Sequence, residues 1–159
     1  MMVLPAFAAD EYGYGVKPFD FDESLAKKWK EADVSTPAYP QDADLLAIAL
    51  PPTDTLKIYV DRKSISRAAD YVARFTLVVE SPSGARSVFY EGMRCETREY
   101  KIYAIGTPEK TFTPVKNSAW QTIPRSEINA FRDYLNRQYV CDSSKSARTP
   151  NELLRMLQQ

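Results

Sequence analysis

From Tyr71 to Ile105 apolar and polar positions alternate with a period of two, and the rest of the chain is organised around this stretch. In Tyr71–Glu80 the odd positions Tyr71, Ala73, Phe75, Leu77 and Val79 are all apolar or aromatic, while Arg74, Thr76 and Glu80 interrupt the even ones. Side chains on a strand alternate between faces, so the odd face is expected in the core. Ser81-Pro82-Ser83-Gly84 supplies a turn, with proline presetting φ at the second position and glycine suiting the fourth. Arg86–Arg94 returns as a second strand, in which Gly92 marks a bulge or a close backbone approach. After Cys95-Glu96-Thr97, the segment Arg98–Ile105 alternates again and completes a three-stranded antiparallel meander.

On the N-terminal side, Leu45–Leu50 and Leu56–Val60 flank Pro51-Pro52-Thr53-Asp54. They predict a hairpin with Leu56, Ile58 and Val60 facing in, then one helical turn over Asp61–Ser66. Thr107–Ser118 reads as a loop or irregular edge strand, because Pro108 and Pro114 cannot serve a central one. Helical spacing marks three places. Asp22 would cap a helix beginning at Glu23, with Leu25, Trp29 and Ala32 as a narrow apolar stripe, followed by a Ser35–Gln41 linker. Pro124–Tyr139 carries Ile128, Phe131 and Leu135, with its proline at an early helical position. Thr149-Pro150-Asn151-Glu152 is a capping box opening a helix with Leu153, Leu154 and Leu157. So short a helix must pack on something, and its own domain is the expected surface.

The fold class that follows is α+β: an antiparallel meander sheet of about five strands with the Pro124–Tyr139 helix packed on one face. Residues 40–159 form the expected single domain, residues 10–39 an N-terminal helix and linkers, and residues 1–9 a leader remnant.

Composition narrows the partners. The 159 residues hold 21 basic and 21 acidic side chains, so no global field favours a polyanion, and a nucleic-acid partner is not expected. No apolar run is long enough to span a bilayer. Met1–Ala9 (MMVLPAFAA) is apolar, ends in Ala6-Phe7-Ala8 and meets Asp10-Glu11, like the downstream end of a secretory signal peptide whose basic start is missing. The alternative is an alanine-rich start with no targeting role. No cysteine follows the cleavage-like site, so a lipid anchor there is not expected, and a periplasmic location is.

Two cysteines in an exported chain are expected to pair, pinning the end of the Pro124–Tyr139 helix to a strand end through Cys95 and Cys141. Closing so long a loop is worth about 4 kcal/mol in the chain-entropy model. The alternative is two buried free thiols.

Tyr90-Glu91-Gly92-Met93-Arg94-Cys95, with Thr97-Arg98-Glu99-Tyr100-Lys101 and Tyr103-Ala104, resembles the cryptic neisserial protein-like family. Val60-Asp61, Ser81–Ala85, Trp120, Ile123, Tyr139-Val140-Cys141 and Thr149–Leu157 fit the same pattern, which covers roughly Pro40 to Leu157. The resemblance implies an exported proteobacterial protein and brings no established activity with it.

The chain contains no histidine, which removes Ser-His-Asp and Cys-His catalysis and the commonest zinc ligand. Neither a metal nor another cofactor is expected. Ser24-Leu25-Ala26-Lys27 matches S-x-x-K, yet it stands without S-D-N or K-T-G, and a solvated helix face explains it better. Asp20/Asp22 and Asp42/Asp44 offer carboxylates without further ligands at loop spacing. Tyr12, Tyr14 and Tyr39 could stack on sugars, but tyrosine in a small mixed domain usually belongs to the core or its rim. The densest polar cluster is Arg94, Glu96, Arg98 and Glu99 around Cys95. It would be either an anion or carboxylate-binding patch or a salt-bridged strand rim. Two functions are therefore expected in order: a non-enzymatic cell-envelope binding or interaction module, with a protein, peptidoglycan or small-anion partner, then an envelope hydrolase using acidic residues the sequence does not single out. Thiol labelling of unreduced, denatured protein tests the covalent tie: none should react, and two reactive thiols would remove the bond.

Overall fold

The computed structural model describes residues 28–125 and 130–159. The chain divides into two compact units, Met1–Lys30 and Glu31–Gln159, and only residues 28–30 of the first fall in the described range. The leader-like run, Ser24–Lys27, Asp20/Asp22, Tyr12, Tyr14 and the start of the Glu23 helix therefore lie outside it. Residues 28–32, expected to end that helix, are not helical. The Ala32 amide donates instead to Asp70 Oδ2 at 2.9 Å, so it does not join a helical ladder.

The second unit is built on an antiparallel sheet. Its strands are β1 (Leu45–Ala47), β2 (Lys57–Asp61), β3 (Ser66–Arg67), β4 (Ala73–Glu80), β5 (Arg86–Arg94), β6 (Glu99–Gly106), β7 (Phe112–Pro114) and β8 (Gln121–Thr122). They lie in the order β1-β2-β4-β5-β6-β7, with β3 also paired to β4 and β8 to β6. The expected hairpin is β1–β2, and the expected meander is β4–β5–β6. Eight strands replace the expected five because β3, β7 and β8 hold only two or three residues, too few to show a period. β2 and β3 are successive pieces along one side of β4, separated by a 3-10 turn at Arg62–Ser64. Asp61 caps that turn by accepting from the Lys63 amide at 3.0 Å, and Ser64 Oγ takes up the Thr76 amide at 2.7 Å.

On one face of the sheet, Ile58, Val60, Phe75, Leu77 and Met93 form the core with Phe131, Leu135, Val140, Leu153 and Leu157 from the helices. Tyr71 is a correction. It was expected on this face but is 61% exposed with φ 59°, lying under the Arg67 guanidinium. Asp70 Oδ1 accepts from the Val72 amide at 3.1 Å and turns the chain there, so the strand begins at Ala73, and Val72 is buried on the opposite face beside Gly92.

The long Pro124–Tyr139 helix is a second correction. Among the described residues its helical part is α1 (Phe131–Leu135), which widens into a π turn over Asn136–Val140. Pro124, Arg125 and Ala130 are not helical, and residues 126–129 lie outside the described range. Just before Pro124 the chain is extended against the sheet, with the Ile123 amide donating to Arg98 O at 3.1 Å. At the other end Cys141 is bonded to Cys95 with 5.6 Å between Cα atoms, and the Cys141 amide reaches back five residues to Asn136 O. α2 (Pro150–Leu157) starts at the expected cap, Thr149 Oγ1 accepting from the Glu152 amide at 3.2 Å, and buries Leu153 and Leu157 on its own domain.

The opposite face of the sheet is polar and aromatic. Arg74 is held by Asp70 at 2.6 Å and donates to Tyr103 Oη at 3.2 Å; Tyr103 Oη in turn donates to Glu31, which also receives Lys101 at 2.9 Å. Tyr103 is the extra residue of a β6 bulge, where the pairing of β5 with β6 shifts between Tyr90 and Glu91. Its ring crosses Gly92, where an added Cβ would meet Tyr103 Oη at 2.8 Å and Val72 Cγ1 at 2.9 Å. A Gly92→Ala variant should therefore lose about 1–3 kcal/mol of unfolding free energy, read from urea denaturation. An unchanged midpoint would show that the Tyr103 ring moves aside freely.

Candidate functional site

The four polar residues around Cys95 separate in space. Arg94 and Glu99 form a loose ion pair at 3.9 Å on adjoining strand ends, and Glu96 is exposed on the turn. Arg98 alone turns toward the helix. Cys95–Arg98 is a tight turn, the Arg98 amide donating to Cys95 O at 3.3 Å, and Arg98 adopts the left-handed conformation at φ 55°. That conformation costs a non-glycine residue on the order of 1 kcal/mol. It carries the guanidinium to α1, where Nη2 meets Asp133 Oδ1 at 2.5 Å.

Asp133 receives a second guanidinium from Arg137, one helical turn on, with Nη2 and Nε at 3.0 and 3.1 Å from Oδ2. Burial pushes the Asp133 carboxyl up, but the hydrogen bonds and charges of Arg137 and Arg98 outweigh it and hold the group below the usual carboxylate range.

Beside this cluster lies a cavity of about 290 Å³, lined by Cys95 and Cys141, by Arg98, Arg125, Arg137 and Lys145, and by Asn136 and Asp142. Among the described residues four cations thus face one lining carboxylate. Each is placed by a different element: the β5–β6 turn, the segment before α1, the π turn and the loop after Cys141. That loop is closed by Asp142, whose Oδ1 accepts from the Ser144 and Ser146 amides at 2.9 and 3.0 Å. Hydrogen bonds from Ser144 and Ser146 hold the Asp142 carboxyl low. Lys145 sits at the loop's tip in the left-handed region, φ 61°. Asn136, 6% exposed, opens the π turn, and its Nδ2 is buried with no hydrogen-bond partner. An unpaired buried donor costs about 1–3 kcal/mol. A second cavity of about 250 Å³ shares Arg125 and Arg137 and adds Asp54, Asp133 and Tyr134.

The remaining candidates are engaged elsewhere. Asp44 pairs with Arg62 and Lys63 at 2.9 and 3.3 Å, and Asp42 with Arg86 at 2.8 Å. Tyr39 is half-buried with its ring 5.6 Å from that of Phe112. Among the described residues no group of three or more His, Cys, Asp and Glu side chains is placed to hold a metal ion, and no helix is long and apolar enough to cross a membrane. Sequence alone singled out Arg98 and the two cysteines of this site. The Asp133–Arg137 spacing of four was a readable signal, whereas Arg125, Asn136 and Lys145 carried none.

The low Asp133 pKa has a sign. A carboxyl depressed on folding contributes stability above its unfolded pKa near 4, and that contribution is lost as pH falls through the folded value. Asp133→Asn should cost about 1–3 kcal/mol at pH 7 and flatten the acid side of the stability curve, measured by denaturation at pH 3 to 7. An equally steep acid limb in the variant would mean that the pair does not store that energy.

Comparison with curated proteins finds no match, and comparison with solved structures finds none either. The family model described as CNP1-like matches residues 24–158, beginning upstream of the Pro40 boundary that the sequence resemblance suggested. Covering nearly the whole chain, this match shows that the protein belongs to the CNP1-like family.

Proposed function

We propose that this protein is an exported, periplasmic binding module without catalytic activity, and that the basic cavity beside Cys95–Cys141 is its contact site. The observation that carries this is the makeup of the cavity: cations and an amide around a disulfide, with the nearby carboxylates already used as acceptors. The disulfide supports an oxidising compartment, since such bonds persist outside the reducing cytosol. The leader-like run Met1–Ala9 supports the same location.

The chemistry of the described carboxyls in and around the two cavities weighs against a hydrolase. A general acid needs a raised pKa and access to substrate. Asp133 is held low between two guanidiniums, and Asp54 accepts from the Leu56 amide at 3.1 Å. Glu91, which burial pushes up, is fully enclosed beneath Arg132.

Expression from its own gene, followed by fractionation and thermal-shift screening against peptidoglycan fragments and small anions, tests the proposal. The chain should be recovered oxidised in the periplasmic fraction, with at least one ligand raising its melting temperature and none being turned over. Retention in the cytosol with reduced thiols, or turnover of a fragment, would overturn it.

A further inference from the structure

We infer that the cavity beside the disulfide is a receptor for a doubly charged oxyanion, a phosphate group as the free ion or as a monoester. This deepens the binding-module reading and rests on it. Charge sets the class. Arg98, Arg125, Arg137 and Lys145 contribute four positive charges, and Asp133 and Asp142 contribute two negative ones. Among the described residues that line the cavity or pair with its cations, a residual charge of two is left, which a dianion neutralises and a single carboxylate does not.

The donors are arranged for it. Asp133 already occupies one side of the Arg98 and Arg137 guanidiniums, so that position is filled by the protein's own carboxylate. Arg125 and Lys145 are exposed at the cavity, and neither side chain forms an ion pair with a described residue. Asn136 lines the cavity as well, and its Nδ2 is buried without a hydrogen-bond partner among the described residues. It opens a π turn, a helix irregularity that recurs at functional sites. Arg98 and Lys145 both line the cavity from the left-handed region. The space of about 290 Å³ admits a phosphate together with part of an attached group.

The probes are inorganic phosphate, glycerol phosphate and acetate, titrated calorimetrically into the oxidised full chain at low and high salt. Inorganic phosphate should bind saturably and at least tenfold more tightly than acetate, weakening as salt rises. Tighter binding of glycerol phosphate than of inorganic phosphate would assign the monoester as the source; the reverse order would assign the free ion. The double variant Arg125→Ala/Lys145→Ala removes exposed side chains and should keep the melting temperature while losing at least tenfold in phosphate affinity. Asn136→Leu should lose affinity without losing the fold, and its melting temperature checks this independently. No saturable binding, equal affinity for acetate, or unchanged affinity in the double variant would overturn the oxyanion site and leave the export and binding-module proposal standing. Hydrolysis of glycerol phosphate that depends on Arg125 and Lys145 would do the opposite, supporting the site and ending the non-catalytic reading.

Discussion

A helical segment as short as α1 and its π turn cannot hold its own shape in water. In this protein it must be fastened at both ends, and the rest of the helix-side architecture follows from how that is done. At the first turn Arg132 forms a two-pronged ion pair with Glu91, a carboxylate fully buried on the core face of β5, at 2.9 and 3.0 Å. The same guanidinium lies 4.4 Å from the centre of the Tyr100 ring and 4.8 Å from that of Phe131, so its charge is both paired and stacked. At the last turn the disulfide joins Cys141 to the β5–β6 turn. One fastening is ionic and needs both partners, since removing either strands a buried charge. The other is covalent.

These two fastenings explain why the site is where it is. The chain between Arg132 and Cys141 must span a fixed distance, and it does so with a π turn in place of regular helix. That turn brings Asn136 and Arg137 to the mouth of the Cys95–Arg98 turn, where Arg98 meets Asp133. The strain at Arg98 and Lys145 is local to this junction and is offset by the core packed behind it.

The strands were legible because β4, β5 and β6 are long enough for a two-residue period to stand out, and the pairing of the cysteines was legible because only two exist. The helix was read too long because Ile128, Phe131 and Leu135 keep a helical spacing in the sequence, and spacing alone does not record that Pro124, Arg125 and Ala130 are not helical. Tyr71 was misplaced for a similar reason: alternation continues one step past the point where Asp70 turns the backbone. The site was the least legible part. Of its cations only Arg98 sits in a polar cluster, and the others come from segments brought together by the disulfide rather than by any motif. Arg94, Glu96 and Glu99 share that cluster in sequence and diverge in space because neighbouring residues on a strand and its turn point in different directions.

The polar face of the sheet sets the true start of the folding unit. Glu31 answers Lys101 and Tyr103, and the Ala32 amide answers Asp70, from a stretch with no regular secondary structure. A chain trimmed to begin at Pro40, where the recognisable strand pattern opens, would leave an ammonium, a phenol and a carboxylate without these partners. Of the nine residues 31–39 that look dispensable on paper, Glu31 and Ala32 therefore belong to that face, and a shortened version of this chain should retain them.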